Sequence, residues 1–271
     1  MDLFQAIILG IIQGLTEFLP ISSSGHLVLG KVIFGFEDTG LIFEVFVHFG
    51  TVLSVIVAFR NDILELVTSF FSGLMKPGEW KNLWAADEHF RLSWLILLGI
   101  LPAGIIGLLV ESQITQAFSS PTFVGITLLF TALILWTSRY ATPLDEPVDW
   151  KRSIAIGFAQ ALAIIPGISR SGTTITAGLW LRLSAENAAK FSFFLAIPVI
   201  LGASAIKFME IFSLQLTSAQ LWQVFAGTLA AFLSGWLAII FLMDILRKGK
   251  FSWFALYCLI IGVTTILITT L

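Results

Sequence analysis

Two short stretches concentrate the residues whose types and spacing could do chemistry. The first reads Gln13-Gly-Leu-Thr-Glu17-Phe-Leu-Pro20-Ile-Ser22-Ser23-Ser24-Gly25-His26. Gln13 and Glu17 are four apart and share one face of a helix, while the serines and His26 follow a proline at the start of the next helix. A carboxylate, hydroxyls, an imidazole and the exposed N–H groups of a helix start are what a phosphate or metal–phosphate site needs. Ser22, Ser23 and Ser24 taken alone would serve as a helix cap, and His26 would donate to a carbonyl. Glu17 points further, because a carboxylate inside apolar sequence is costly and marks function by default.

The second stretch reads Pro166-Gly-Ile-Ser169-Arg170-Ser171-Gly172-Thr173-Thr174. Arg170 lies between two apolar segments with no acidic residue from 150 to 185, so a partner carboxylate must come from elsewhere, with Glu17 and Glu44 as candidates. A guanidinium binds phosphate through paired hydrogen bonds, and Ser169, Ser171, Thr173 and Thr174 add donors at a helix start. Glu44 and His48, four apart in the next apolar run, could add a second carboxylate and an imidazole, though the pair is weak as a metal signature. His89 sits in a charged loop beside Asp87 and Glu88 and is given no catalytic role.

The elements that position these residues must be membrane helices. The 271 residues are 57% hydrophobic and 12% charged, with a mean hydropathy of +0.96, whereas soluble domains carry about 25% charged residues. Apolar runs follow one another from end to end, which predicts one integral membrane domain over 1–271. The net charge of -2 leaves no basic face for nucleic acid. Cys258 is the single cysteine, so there is no intrachain disulfide and no cysteine-based metal site. The first charge is Asp2 and the first apolar stretch carries Glu17, which argues against a removed signal peptide.

The fold class expected is an all-α polytopic membrane protein with six spanning helices, at 41–59, 91–110, 121–138, 186–206, 219–242 and 251–271. Two helical hairpins, 3–19 with 23–36 and 153–165 with 171–183, are broken at Pro20 to Ser24 and at Pro166 to Gly172. Inside a membrane such breaks are tolerable only against protein or a water-filled cavity. Arg60, Lys76, Lys81 and Arg91 bracket one loop, Arg139, Lys151 and Arg152 another, and Arg247, Lys248 and Lys250 a third. These loops are expected to be cytoplasmic, which puts both termini outside and brings the two hairpins in from opposite faces. At an offset of 147 residues Gly10, Gln13, Leu15, Ile21, Ser22, Ser24 and Gly25 meet Gly157, Gln160, Leu162, Ile168, Ser169, Ser171 and Gly172. The expectation is an inverted-topology repeat with halves of about 1–140 and 150–271 and a site near the midplane.

Together the two motifs resemble the signature segments of the undecaprenyl-pyrophosphate phosphatase family, also called the bacitracin-resistance proteins. The likeness runs through nearly the whole chain, including Phe43-Glu44-Val45 and Phe191-Ser-Phe-Phe-Leu-Ala-Ile-Pro198. It implies a multi-pass hydrolase of the bacterial plasma membrane that converts the isoprenoid lipid pyrophosphate to the monophosphate for peptidoglycan synthesis, and the charge bias puts the catalytic hairpin on the outer side. It further implies a divalent cation, Mg²⁺ or Ca²⁺, with Glu17 as essential carboxylate and metal ligand. The same resemblance places the family's serine at Ser23, its histidine at His26 and its arginine at Arg170. Gln13, Ser22, Ser24, Gly25, Ser169, Ser171, Gly172 and Thr174 are expected to bind substrate. Some members carry a glutamate where this chain has Gln13, which is no acid and a poorer metal ligand. Expected partners are the lipid substrate, membrane lipid and a second copy in a homodimer.

Type 2 phosphatidic acid phosphatases also use Ser-Gly-His and Ser-Arg elements, but they need a histidine after the Ser-Arg, and none follows Arg170. Two chemistries stay open: Ser23 attacks phosphorus with His26 as base, or His26 activates water. A competing class is a secondary transporter or flippase for an anionic or lipid-phosphate substrate. Such a carrier has a use for Arg170 and helix N–H groups but little for Glu17 and His26 beside a serine run.

Overall fold

The computed structural model describes residues 1–34, 40–110, 112, 114, 117, 120–211 and 217–270. Among these residues the chain is helical without strands. In chain order the helices are α1 (Leu3–Phe18), α2 (Ser23–Phe34), α3 (Gly40–Ala58), α4 (Arg60–Leu74), α5 (Trp80–Ala86) and α6 (Glu88–Leu109). There follow α7 (Pro121–Thr137), α8 (Trp150–Leu162), α9 (Arg170–Trp180), α10 (Ala185–Ile211), α11 (Ser218–Arg247) and α12 (Phe254–Thr270).

Five helical stretches are long and apolar enough to cross a membrane: Glu88–Leu109, Pro121–Tyr140, Ala185–Gly202, Ser218–Arg247 and Phe251–Thr270. A sixth forms if α3 is taken with α4, which it meets at 91°. These match the six expected spans. The four short helices α1, α2, α8 and α9 are the arms expected on either side of the two breaks. At 1.5 Å per residue, the 16 residues of α1 reach about 24 Å, short of a hydrocarbon core of about 30 Å.

The charged segment from Arg60 to Arg91, read above as a loop, is largely helical. Ile63, Leu66, Val67 and Phe70 recur at helical spacing, and α4 follows from that stripe. It is fastened to α6 by the Ser93 hydroxyl donating to the Leu66 carbonyl at 3.1 Å and by a tilted contact of Phe70 with Trp94, ring centres 5.4 Å apart. The Asp87 side chain caps α6 by accepting the Phe90 N–H at 3.0 Å.

Glycines seat the two short helices on long ones. A Cβ on Gly10 would stand 2.2 Å from the Gly227 carbonyl oxygen of α11, and one on Gly14 would stand 2.4 Å from that of Ala231. On the other side, a Cβ on Gly157 of α8 would stand 2.3 Å from the Gly99 carbonyl oxygen of α6. The corresponding glycines 10 and 157 therefore make the same kind of contact, each with a long helix of the other half. The largest core cluster draws on both: Phe18 meets Phe193 edge-on at 5.4 Å, and Phe59 meets Phe194 at 5.8 Å.

Candidate functional site

The two breaks touch each other. A Cβ on Gly25 would lie 3.5 Å from the Gly167 Cα, and the Ser171 hydroxyl donates to the Leu19 carbonyl at 3.3 Å. Each break ends in the same local device. The Ser22 hydroxyl accepts the Gly25 N–H at 3.2 Å and pairs with the Ser24 hydroxyl at 3.3 Å. Ser169 accepts the Gly172 N–H at 3.1 Å and pairs with Ser171 at 3.3 Å. These are N-caps, and they satisfy one orphan donor at the start of α2 and of α9. The chain reverses differently before them, through Ser22 at φ 69° in the first break and Gly167 at φ 90° in the second. That difference accompanies the one-residue shift of the prolines. Carbonyls freed in the second break are taken up by α7: Thr127 donates to Pro166 at 2.5 Å and Thr131 to Gly167 at 2.8 Å.

Glu17 stands at the centre of the joined breaks and is 8% exposed. Arg170 Nη2 donates to its Oε1 at 2.7 Å. Its Oε2 accepts from the Ser23 hydroxyl at 2.7 Å and from Gln13 Nε2 at 2.9 Å. His48 Nε2 lies 3.8 Å from the same oxygen. Arg170 is braced a second time by Nη1 donating to the Ser192 carbonyl at 3.1 Å, and Thr174 shares a 2.6 Å hydrogen bond with the Ser192 hydroxyl. A buried charge pair holds only when its remaining hydrogen-bonding capacity is met, and here both ions are met on several sides. The backbone N–H groups of Ser23, Ser24, Arg170 and Ser171 make no hydrogen bond to a described residue, so two helix starts offer donors beside the guanidinium.

Gln13, Glu17, Ser23 and Arg170 are thus brought into one cluster, with Ser22, Ser24, Gly25, Ser169, Ser171, Gly172 and Thr174 forming the turns around it. His26 is placed otherwise. Its Nδ1 lies 2.8 Å from the Ser22 carbonyl oxygen and its Nε2 lies 2.8 Å from the Tyr257 hydroxyl, so neither ring nitrogen bonds to Ser23. A carbonyl only accepts, which puts the ring proton on Nδ1 and leaves Nε2 to accept from the tyrosine. The nearest carboxylate to the Ser23 hydroxyl is Glu17, a base candidate that neither chemistry above considered for that proton.

Sequence reasoning assigned no role to Ser192 or Tyr257 and left His48 as a weak pair with Glu44. Ser192 gives no signal, since it acts through a backbone carbonyl in apolar α10. Tyr257 gives one, because a phenol in a membrane span calls for a polar partner. Beside the cluster runs an apolar groove of about 780 Å³ between α1, α2, α11 and α12, with His26 and Tyr257 in its wall and Leu15, Leu19, Phe254 and Ile261 along it.

Comparison with known proteins places the chain in a family. The family described as Bacitracin resistance protein BacA matches residues 6–264. The chain is 43% identical to the undecaprenyl-diphosphatase of Christiangramia forsetii over 271 residues, 98% of each chain. It is 40% identical to that of Salinibacter ruber over 97% of each, and 43% identical to that of Halothermothrix orenii over 99% of this chain and 98% of the other. A match of this length, running through both breaks and every helix that carries a site residue, makes the chain a member of the bacitracin resistance protein BacA family.

Proposed function

We infer that this chain is an undecaprenyl-diphosphatase, a membrane phosphatase that releases inorganic phosphate from the isoprenoid lipid pyrophosphate and returns the lipid monophosphate. The observation that carries the reading is the 2.7 Å hydrogen bond from the Ser23 hydroxyl to Glu17, whose other oxygen is held by Arg170. A nucleophile, a proton acceptor and a phosphate-binding cation meet there, beside an apolar groove and four backbone N–H groups that make no hydrogen bond to a described residue.

Arg170 and the N–H groups of Ser23, Ser24, Arg170 and Ser171 bind the pyrophosphate oxygens, which is where phosphoryl transfer gains most of its acceleration. Drawing Arg170 onto phosphate loosens its hold on Glu17 and frees the carboxylate to accept the Ser23 proton. Ser23 Oγ then forms a bond to the terminal phosphorus while the P–O–P bridge breaks, and the lipid monophosphate leaves with the bridging oxygen. Water hydrolyses the phosphoserine, giving inorganic phosphate and the free hydroxyl.

The donor set fits a hard divalent cation, Mg²⁺ or Ca²⁺. Glu17, the Ser23 hydroxyl and Gln13 Oε1 are oxygen donors, and Gln13 Oε1 is buried without a hydrogen-bond partner. Among the described residues no group of three or more His, Cys, Asp or Glu could hold an ion, so substrate oxygens would complete its shell. A cation bound there would neutralise charge on the phosphate oxygens.

The groove takes the isoprenoid tail, with its mouth toward lipid. The clustering of Arg60, Lys76, Lys81, Arg139, Lys151, Arg247 and Lys250 at helix ends and in the segments between spans supports a cytoplasmic placement for those ends and a site served from the outer side of a bacterial plasma membrane. The matching glycine contacts and serine caps support the inverted repeat. Such architecture suits a carrier equally, and the Ser23–Glu17 bond is what favours hydrolysis.

The test is phosphate release from a C55 or C15 isoprenoid pyrophosphate by purified protein, with and without Mg²⁺ or Ca²⁺. Cation-dependent release lost in Glu17→Ala and Arg170→Ala is the expected result. Absence of release from folded wild-type protein would turn the reading toward a transporter.

A further inference from the structure

The His26–Tyr257 pair links the apolar groove to the reacting serine. The Tyr257 hydroxyl donates to His26 Nε2 at 2.8 Å, and the two rings stack at 5.7 Å with their planes 13° apart. Both side chains are in the groove wall. On its other edge the imidazole donates from Nδ1 to the Ser22 carbonyl at 2.8 Å, an oxygen that also accepts the His26 backbone N–H at 3.1 Å. Ser22 is the residue at φ 69°, a left-handed conformation that costs energy for any side chain but glycine and persists only when its surroundings fix it. The next residue is Ser23. A continuous series of contacts therefore runs from the groove wall, through the phenol and the imidazole, to the strained turn that aims the Ser23 hydroxyl at Glu17.

We propose that Tyr257 is a positioning residue through which the lipid tail raises the rate of phosphoryl transfer. The inference rests on the phosphatase reading above and adds to it a route from tail binding to turnover. An isoprenoid chain in the groove lies against the stacked rings and presses the phenol onto His26. That locks the Nδ1–H tautomer, and with it the Ser22 turn. Tail binding is then expressed in kcat as well as in KM, which is how remote binding energy accelerates a reaction. Tyr257→Phe keeps the ring in the groove and removes the hydroxyl that holds His26.

The experiment compares wild type and Tyr257→Phe on farnesyl diphosphate, which has a fifteen-carbon tail, and on dimethylallyl diphosphate, which has five. In wild type kcat is higher for the longer tail. In Tyr257→Phe the kcat for farnesyl diphosphate falls about tenfold, the loss expected for one hydrogen bond, with KM within a factor of about two. The kcat for dimethylallyl diphosphate, whose five carbons bear less on the stacked rings, falls by a smaller factor, so that the loss grows with tail length. A spectroscopic readout stands apart from turnover. The chain has three histidines, at 26, 48 and 89, and in ¹⁵N-histidine-labelled protein the Nε2 resonance of His26 shifts in Tyr257→Phe while those of His48 and His89 do not. Equal losses on both substrates with a lowered Tm would show a merely structural tyrosine and overturn the inference. So would a Tyr257→Phe enzyme with wild-type kcat on the longer tail. A wild-type protein that released phosphate from neither substrate would overturn the phosphatase reading itself, and this inference with it.

Discussion

Arg170 and Glu17 are 153 positions apart in the chain, yet their side chains meet at 2.7 Å in the middle of the protein. Each comes from one of two short helices flanking a break, and neither has a second opposite charge within hydrogen-bond distance among the described residues. The pair therefore does two things. It ties the halves of the protein together, and in the proposed reaction it holds the guanidinium where phosphate would bind.

Because the pair is buried, removing either member alone leaves an uncompensated charge. Arg170→Met and Glu17→Gln should each lower the stability of the purified protein by roughly 3 kcal/mol. The double variant should lose less than the sum, with a coupling of roughly 1 to 3 kcal/mol. Denaturation of the four proteins in one detergent measures this, and strict additivity would show that the ion pair contributes nothing. Arg170→Lys should recover part of the stability but little activity, since an ammonium cannot bond Glu17 and the Ser192 carbonyl together as the guanidinium fork does.

The glycine contacts predict a contrast between positions. Gly10→Ala places a methyl group 2.2 Å from a backbone oxygen of α11, and Gly157→Ala does the same at 2.3 Å from α6. Each should cost about 1 to 3 kcal/mol through forced separation of the helices. Gly104→Ala, where nothing lies within 4 Å, should be neutral or stabilising by up to about 1 kcal/mol. Melting temperatures of the three variants would settle the matter, and equal shifts would contradict the close packing.

At the α6 cap, outside the apolar span, partial burial pushes the Asp87 carboxyl up, but hydrogen bonds from the Phe90 N–H, the Ser69 hydroxyl and the His89 N–H, with the His89 charge, bring it below the ordinary value. A carboxyl so lowered stabilises the fold above its unfolded value of about 3.9, and that contribution disappears as pH falls through the lower folded value. Asp87→Ala should cost about 1 kcal/mol at neutral pH, as for loss of an N-cap. The difference from wild type should vanish in strongly acidic buffer, and a difference constant down to pH 2 would contradict the assignment.

Much of this was legible in the sequence, for physical reasons that particular residues make plain. Proline and glycine at 20, 166 and 167 mark where helices must stop, and apolar runs of spanning length mark where they must not. Glu17 is a candidate partner of Arg170 because no acid lies in the apolar sequence from 150 to 185. What stayed hidden depends on partners remote in the chain. The placement of His26 depends on Tyr257, 231 positions away, whose hydroxyl lies 2.8 Å from its Nε2. The approach of His48 to Glu17 depends on how α3 is rotated against α1, a tertiary relation between segments that are not adjacent in the chain. Between Arg60 and Arg91 the charges mask the apolar stripe of α4, so the sequence there reads as a loop.

The central claim is that the Ser23–Glu17 pair, and not His26, carries the displacement at phosphorus. The most direct measurement is the rate of phosphate release from farnesyl diphosphate by Ser23→Ala and His26→Ala beside wild type, each checked for an unchanged melting temperature. The account predicts a fall of at least about 10³-fold in Ser23→Ala, as for loss of a nucleophile, and a loss of about tenfold in His26→Ala. Release by Ser23→Ala within tenfold of wild type, with His26→Ala inactive, would contradict it and return the reaction to a histidine-activated water.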